Sequence, residues 1–317
     1  MLLTEKQIDF MGARKIAGAA SLILVIVSIL SLAFNSLEFG LDFTSGTSVR
    51  LSYSESVMVE DINQTLRDNG YEDAVVVTFG SDRDIRILLP VDENIAVGDQ
   101  AAQAIIVGES ITEMLQSSSG SQITLLGSDY VSAKVGGELV ESGGIGMLVA
   151  LAIIMVYIAI RFQFKFSVGA VVALAHDLII TLGIFSLFRI EFNLNTLAAL
   201  LAIIGYSLND TIVVSDRIRE NFRRLRKGTP LEMINISLNQ TLSRTLITSL
   251  TTLLVLFSIL FIGGESTQGF AVALIIGVVI GTYSSIFIAS NVILYMNVTR
   301  EDLMLPVKEG AELDDTP

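Results

Sequence analysis

Six apolar stretches divide the chain, and each is long enough to cross a bilayer. A helix needs about 20 predominantly apolar residues to span the hydrocarbon core. The stretches are residues 16–34, 143–160, 166–188, 194–215, 245–262 and 269–296. No small-residue cleavage site follows the first, which therefore indicates a retained anchor and not a removed signal peptide. The pattern predicts an α-helical membrane protein with six transmembrane helices.

Between the first two spans, residues 35–141 follow a different pattern. Strand-like runs occupy 47–53, 74–79, 84–90 and 122–132, and helical spacing occupies 56–68 and 95–117. Gly70 ends the first helix, and "GSDRD" predicts a turn between the second and third strands. The order βαββαβ is typical of a ferredoxin-like α+β domain. Its acids are scattered and it has no His, so we interpret it as a docking domain without catalytic residues.

The basic residues of the short loops predict the orientation of the spans. Arg14 and Lys15 precede the first span, and Arg161 and Lys165 join the second to the third. A further cluster follows the fourth span: Arg217, Arg219, Arg223, Arg224, Arg226 and Lys227. We therefore expect both termini, residues 1–15 and an acidic tail at 298–317, to be cytoplasmic. Residues 35–141 are expected to be periplasmic.

Residues 217–243 are predicted to form a basic cytoplasmic loop. Within this loop, "TPLEMINISLNQTL" has the pattern of an amphipathic helix lying along the inner surface. Its arginine cluster is explained by topology alone as a solvated loop. The alternative is a surface for a cytoplasmic partner or for anionic lipid headgroups.

Composition excludes several classes of function. The chain is 51% hydrophobic and 17% charged, contains no Cys and has one His, His176. Disulfides, thiolate metal sites and multi-histidine metal sites are therefore excluded, and we expect no metal and no cofactor. A phosphate-binding P-loop is absent, so the chain is not expected to be a hydrolytic enzyme. The net charge of −13 lies within residues 35–141, and its sign disfavours nucleic acid.

Ionisable residues within spans are costly and usually functional. Asp177 lies midway in the third span, Asp210 lies in the fourth, and Arg244 opens the fifth. The predicted orientation places Asp210 and Arg244 in the inner half of the bilayer, at comparable depth. A movement that changes their separation would load and unload a proton, since a nearby guanidinium favours the charged carboxylate. The alternative is a static buried ion pair that maintains the helix register.

Other polar residues in the spans are candidates to support a proton path. They are His176, Asp177, Asn209, Thr211 and Thr248. Ordinary hydrogen bonding between helices is the alternative for each of them, and for the His176–Asp177 pair in particular. Gly277 and Gly281 form a GxxxG pattern that favours close helix packing.

Five motifs together resemble a known family. They are "GLDFTSGTSVRL" (40–51), "VGGEL" (135–139), "AHDLIITLGIFSLF" (175–188), "IGYSLNDTIVVSDRIRENFR" (204–223) and "SRTLITSLTT" (243–252). They resemble the SecF family, whose members pair with SecD in the bacterial SecDF complex. That complex belongs to the resistance–nodulation–division superfamily. The resemblance covers nearly the whole chain.

The resemblance implies a function in protein export. The chain would pair with SecD as half of a pseudo-symmetric twelve-span unit beside the SecYEG channel in the bacterial inner membrane. Proton motive force would move the periplasmic domains and promote translocation of the preprotein substrate. YajC and YidC are further candidate partners. The family's residues for proton passage correspond here to Asp210 and Arg244.

The resemblance also implies hinges between the periplasmic domain and the membrane. The candidate hinge residues are Gly40, Asp42, Gly46, Gly136 and Gly137. The chain departs from the family there: it has Ser45–Gly46 where the family usually has two glycines, and Ser132–Ala133 where the family often has Gly-Pro.

Two alternative functions follow from the same residues. One is half of a proton-driven small-molecule exporter, although six spans and one small domain argue against it. The other is a structural subunit of a translocase that couples no protons, in which Asp210 and Arg244 form a fixed pair.

Overall fold

A computed structural model of the chain describes most of its length. The described residues are 7–40, 43, 46–72, 74–79, 81–90, 100–131, 133–161, 163–225 and 228–303. Asp42, Ser45 and Ser132 lie outside them, as does the tail from residue 304 onward.

The described elements follow one another from a first helix to a short final one. In chain order they are α1 (Arg14–Asn35), β1 (Glu38–Phe39), β2 (Gly46–Tyr53), α2 (Val59–Asp68), β3 (Val75–Phe79), β4 (Ser81–Pro90), α3 (Gln100–Ser119), β5 (Ile123–Val131), α4 (Ala133–Arg161), α5 (Phe164–Leu187), β6 (Glu191–Phe192), α6 (Leu194–Arg224), α7 (Pro230–Ile262), α8 (Glu265–Ser284), a π-helical turn (Ser285–Ala289), α9 (Ser290–Tyr295) and α10 (Arg300–Leu303).

Six helical segments of the described chain are long and apolar enough to cross a membrane. They are α1, the part of α4 from Val140 to Arg161, α5, α6, α7, and the run from Thr267 to Tyr295 that joins α8 to α9. The six predicted spans are confirmed. Helix α5 is the most enclosed, because it packs against α1, α4, α6 and α8.

The elements between α1 and α4 form a four-stranded antiparallel sheet with two helices. The strand order is β3-β4-β2-β5. Strand β2 is central and pairs with β4 (Val49 opposite Ile87) and with β5 (Leu51 opposite Leu125). Alternate residues of the strands and one face of α2 and α3 share a core that includes Ile62 of α2. The predicted order βαββαβ is therefore confirmed.

The predicted turn at "GSDRD" is wrong for residues 81–84, which already belong to β4. Ser81 pairs with Phe79 of β3, and Asp84 pairs with Ser52 of β2. The hydroxyl groups of Ser52 and Ser81 donate to the Asp84 carboxylate at 2.7 and 2.8 Å. These hydrogen bonds lower the pKa of Asp84. Polar composition suggested a turn, but these side chains are exposed or half-buried at the start of β4, where polar residues are tolerated.

Most of the predicted basic segment over 217–243 is helical, as expected for "TPLEMINISLNQTL" but not for the residues before it. Helix α6 continues to Arg224 and α7 begins at Pro230. Thr229 and Glu232 form a capping box, with Pro230 in the first turn, and this combination favours a helix start. "TPLEMINISLNQTL" is thus the beginning of α7 and not a separate surface helix. Met233 and Ile234 are buried in a cluster with Phe222.

One end of the helix bundle carries most of the basic residues, and we call it the basic end. Helices α1, α5 and α7 begin there, and α4 and α6 end there. It is defined by Arg14, Lys15, Arg161, Lys165 and Arg224. Side-chain amides of Asn235 and Asn239 bond the backbone just before α1, and so join the starts of α7 and α1.

At the opposite end, β1 and β6 pair as two short parallel strands. The sequence pattern did not predict this pairing. Glu38 lies opposite Glu191, and Phe39 opposite Phe192. The rings of Phe39, Phe43 and Phe192 lie 5.7 to 6.0 Å apart. The chain after α1 is therefore attached to the link between α5 and α6.

The GxxxG pattern on α8 lies directly against α6. A methyl group at Gly277 would collide with the Ile203 side chain, and one at Gly281 would lie 3.0 Å from the Cβ of Ser207. The predicted close packing at these two glycines is confirmed. It places the polar residues of α6 and α8 within hydrogen-bonding distance of α5.

Candidate functional site

Asp177 lies at the centre of the helix bundle and is completely buried. Its Oδ2 accepts hydrogen bonds from Ser207 of α6 at 2.6 Å and from Ser284 of α8 at 2.8 Å. Its Oδ1 lies 2.9 Å from Nδ1 of the preceding residue, His176. Both carboxylate oxygens therefore have partners, and one side chain joins three helices.

This network extends to α1 through the ring of Tyr283. The imidazole of His176 stacks on Tyr283, with ring centroids 6.4 Å apart. The Tyr283 hydroxyl donates to the Ala17 carbonyl at 2.7 Å and accepts from Ser21 at 3.0 Å. We call Asp177, His176, Ser207, Ser284 and Tyr283 the Asp177 cluster.

Asp210 has different surroundings, although it lies on the same helix as Ser207 and less than one turn further along. It is 3% exposed, and its Oδ2 has no hydrogen-bond partner among the described residues. Two neighbouring hydroxyl groups are also buried without a partner there, those of Thr211 on α6 and Thr245 on α7. Buried polar atoms are nearly always hydrogen-bonded, so three together are unusual.

Polar contacts join α6 to α7 on both sides of these three residues. Toward the end opposite the basic end, the Tyr206 hydroxyl donates to Ser249 at 3.4 Å. Toward the basic end, Arg217 donates to Gln240 at 2.6 Å, and Asn221 donates to the same oxygen at 2.8 Å. Asp210 therefore lies in a part of α6 where buried polar atoms lack partners, between two parts that are hydrogen-bonded to α7.

Arg244 lies close to this stretch without forming an ion pair. It acts electrostatically on the Asp210 carboxylate. Within the described chain, however, no Arg244 nitrogen lies within 4.0 Å of an Asp210 oxygen. Arg244 is exposed and lines a cavity of about 520 Å³ that Asp216 and Arg217 also line. A small movement of α7 against α6 would change the distance between the two groups.

The remaining predicted support residues fall into three environments. Thr211 lies beside Asp210, and His176 and Asp177 belong to the Asp177 cluster. Asn209 is exposed on the outside of α6. The Thr248 hydroxyl bonds the carbonyls of Arg244 and Thr245 in its own helix. Asn209 and Thr248 are therefore not brought to the Asp210 carboxylate.

The described hinge candidates lie in regular structure or, for Gly40, directly after β1. Gly40 donates its backbone N–H to the Phe192 carbonyl at 2.9 Å. Gly46 lies in β2, where a side chain would collide with the Leu89 carbonyl of β4. Gly136 and Gly137 lie in the first turns of α4. Their role in domain movement stays a prediction.

Sequence reasoning missed Ser284, Tyr283 and Thr245. Ser284 and Tyr283 follow Gly281 by one turn or less, and the GxxxG pattern identified this face of α8 without identifying the polar residues beyond it. Thr245 directly follows Arg244 and is fully buried, whereas its neighbour is exposed. Only the packing of α7 on α6 distinguishes the two.

Comparison with known proteins identifies the family. Residues 110–299 match the family model "Protein export membrane protein SecD/SecF, C-terminal". The chain is 45% identical to the protein translocase subunit SecF of Pseudomonas aeruginosa, over 98% of each chain. The chain belongs to the SecF family. It is also 43% identical to the Vibrio alginolyticus member, over 100% of this chain and 99% of the other.

Solved structures of SecDF are similar in fold. One is a crystal structure of SecDF, a translocon-associated membrane protein, from Thermus thermophilus, with a TM-score of 0.77 and 37% identity. SecDF in a super-membrane-facing form matches with a TM-score of 0.69 and 34% identity. In both cases the match covers 94% of this chain and 40% of the other. The chain thus spans less than half the length of these SecDF proteins.

Proposed function

We propose that the chain acts as the SecF subunit of a SecDF complex that uses proton motive force to promote preprotein translocation. In this proposal it pairs with SecD beside the SecYEG channel in the bacterial inner membrane, with YajC and YidC as further partners. The relatives' designation as translocase subunits and the similarity to SecDF structures support it.

The observation that carries the proton-coupled part is the unpaired carboxylate of Asp210. A charge buried without a partner is costly, and the cost is avoided when the group takes up a proton or meets an opposite charge. Asp210 has one oxygen without a partner, and Arg244 lies nearby but outside ion-pair distance. This carboxylate can therefore either take up a proton or form an ion pair with Arg244.

We infer two arrangements of α6 and α7 from this geometry. In the first, Arg244 stays in the cavity and Asp210 carries a proton. In the second, the guanidinium approaches, the carboxylate releases its proton and the two groups form an ion pair. Alternation between the arrangements couples proton passage to helix movement. Thr211 and Thr245 would bind the water that carries the proton, because both hydroxyl groups lack partners.

The orientation and the domain between α1 and α4 complete the proposal. With the basic end in the cytoplasm, as the distribution of Lys and Arg indicates, this domain is periplasmic. Its strand order and its two helices on one face support a ferredoxin-like fold. Gly40 and Gly46, with Gly136 and Gly137, would then let the domain move relative to the membrane helices.

Asp210→Asn tests the proton-coupled role, because the amide keeps the shape of the side chain and cannot ionise. We expect it to remove nearly all of the stimulation of preprotein translocation that depends on proton motive force, measured in membrane vesicles. Complex assembly should be unchanged. Asp216→Asn is the matched control, because Asp216 lies on the same helix but is exposed. Full stimulation with Asp210→Asn would overturn the proposal.

Arg244→Ala supplies the second arm of the same experiment. Without the guanidinium, Asp210 cannot be driven to release its proton, so stimulation should fall as far as with Asp210→Asn. Arg217→Ala is the control, because Arg217 lines the same cavity but bonds Gln240 and Glu220 instead. Equal loss with both arginine variants would indicate a general effect of cavity charge and contradict a specific role for Arg244.

A structural role without proton coupling is the second candidate function, and the Asp177 cluster favours it. Both oxygens of its central carboxylate, Asp177, are hydrogen-bonded, and the cluster joins α5, α6 and α8. If the chain were only structural, uncouplers of the proton gradient would not affect its stimulation. The effect of an uncoupler on wild-type vesicles therefore separates the two functions.

A further inference from the structure

A second cavity lies at the basic end, on the outside of the helix bundle and away from Asp210. Its volume is about 480 Å³, and it is formed between the first three turns of α1 and the run from the π-helical turn through α9. Helices α4, α6 and α7, which carry or surround the Asp210 stretch, contribute no lining residue. The cavity is therefore independent of the proposed proton path.

The lining of this cavity changes from charged to apolar with depth. Arg14 and Lys15, the first residues of α1, lie at its outer end. Leu22 lies two turns further along α1 and faces Ile288 and Val292. A helix rises about 1.5 Å per residue, so about 10 Å separates the cations from the apolar end. This gradient matches a phospholipid, which has a charged headgroup above an apolar chain.

Two features of the outer end suit a lipid headgroup. Lys15 is exposed and makes no ion pair within the described part of the chain, so its ammonium group is available to a phosphate. Tyr295, 74% exposed, ends α9 at the same level. Aromatic residues with a polar group are enriched at the level of the headgroups.

Asn291 supplies an independent observation that points to a ligand. Its side chain lines the cavity and is 8% exposed. Its Nδ2 donates to the Arg14 carbonyl at 3.4 Å, but its Oδ1 has no partner among the described residues. A buried acceptor without a donor is costly. A hydroxyl group on a bound headgroup would supply the missing donor.

We propose that this cavity binds one anionic glycerophospholipid of the leaflet at the basic end, with a hydroxyl-bearing headgroup of the phosphatidylglycerol type. The phosphate lies between Arg14 and Lys15, and a headgroup hydroxyl donates to Oδ1 of Asn291. One acyl chain lies along Leu22, Ile288 and Val292. Basic pockets between membrane helices are known to bind anionic headgroups in this way.

The bound lipid would stabilise the packing of α1 on the bundle. Much of α1 is exposed, including the large side chains of Ile16, Leu22 and Ile23. A lipid held by both α1 and α9 adds contacts between them that the protein alone does not make. Binding of this kind is independent of proton coupling, so its test is independent of the Asp210 experiments.

Gly18 offers a variant that blocks the cavity without disturbing the fold. It lines the cavity, and a Cβ there would have no heavy atom within 4 Å. Gly18→Leu should therefore fill the space for the acyl chain. Gly144→Leu is the matched control, because Gly144 is also helical, also has open space around it, and lies on α4 away from the cavity.

Lys15→Gln tests the headgroup contact, with Arg224→Gln as its control. Arg224 is another exposed cation of the basic end, but it lies outside the cavity and pairs with Glu220. The two variants lose the same charge. Each cation that contacts an anionic headgroup raises the affinity for the lipid about fivefold.

The measurement is native mass spectrometry of the full-length chain, purified in detergent and titrated with phosphatidylglycerol or phosphatidylcholine of the same acyl chains. We expect one phosphatidylglycerol to be retained over phosphatidylcholine. Lys15→Gln should weaken its retention about fivefold, and Gly18→Leu should abolish it. Both control variants should retain it as the wild type does.

Three results would overturn the proposal. Equal retention of the two lipids would show that the cations do not select an anion. Unchanged retention with both Gly18→Leu and Lys15→Gln would place the lipid elsewhere. If the chain copurified with its partner subunit retains no lipid while the isolated chain does, the cavity belongs to a contact between proteins.

Discussion

Two buried carboxylates, Asp177 and Asp210, lie on helices that pack against each other, and their environments are opposite. Asp177 has partners for both oxygens, from Ser207, Ser284 and His176. Asp210 has an oxygen without a partner and no ion pair in the described chain. Ser207 bonds one carboxylate and lies three residues before the other. The two environments therefore meet on one face of α6.

The difference indicates different roles for two groups that look alike in sequence. A buried carboxylate with partners on both oxygens resists change, because each bond lost leaves a buried group unpaired. A carboxylate with an oxygen that lacks a partner can bind a proton, a water or a cation without breaking an existing hydrogen bond. We therefore expect Asp177 to contribute mainly to stability and Asp210 mainly to function. The predictions below compare the two sites.

Asp177→Leu should cause the largest loss of stability. It leaves Ser207, Ser284 and His176 without their shared acceptor inside the bundle. We expect the free energy of unfolding to fall by about 3 kcal/mol, because buried polar groups that lose their hydrogen-bond partner are costly. Asp210→Leu should change it far less, since Oδ2 has no bond to lose. Thermal unfolding of both variants in detergent measures the difference. Equal losses would remove the distinction between the two sites.

Ser284→Ala and Thr211→Val should have effects of opposite sign. Ser284 donates to Asp177, so its loss should cost about 1 kcal/mol. Thr211 carries a buried hydroxyl without a partner. Replacing it with the similar shape of Val removes that cost, so stability should stay the same or rise by up to about 1 kcal/mol. A clear loss with Thr211→Val would show that this hydroxyl is bonded in the membrane.

The pair of Asp302 and Lys165 should show the smallest effect, because it lies at the solvated basic end. Their side chains approach to 2.6 Å, and this hydrogen bond, with those from Thr299, lowers the pKa of Asp302 to about 2. The folded pKa lies below the ordinary value of 3.8. The stabilisation is therefore fully present above about pH 4 and is lost as the pH falls through about 2.

A titration of the Asp302 carboxyl by vibrational spectroscopy checks this expectation. Lys165→Gln should return its pKa most of the way toward the ordinary value. The change in stability at neutral pH should stay below about 1 kcal/mol, since exposed ion pairs contribute little. An unchanged pKa would show that the bonds from Thr299 dominate and not the one from Lys165.

Hydrophobic periodicity predicted the helices and strands well, but it predicted the segments that connect them poorly. The six spans and the βαββαβ order depend on local patterns, and they were predicted correctly. Residues 217–224 were assigned to a loop because their basic residues resemble a solvated segment, and the helix predicted within 229–242 was not recognised as the start of α7. The buried contacts of Met233 and Ile234 and the capping box at Thr229 make this region helical. The pairing of β1 with β6 joins residues over 150 positions apart, which local patterns do not report.

The sequence by itself determined the membrane class, the number of spans, the family resemblance and the positions of the rare charged residues within spans. These follow from local composition, since the bilayer imposes one length and one polarity on every span. Only the tertiary structure decided which of those residues have partners. Gly277 and Gly281 let α8 approach α6, and this approach places Ser207 and Ser284 around Asp177. Asp210 and Arg244 stay close but unpaired, because helix packing sets that distance.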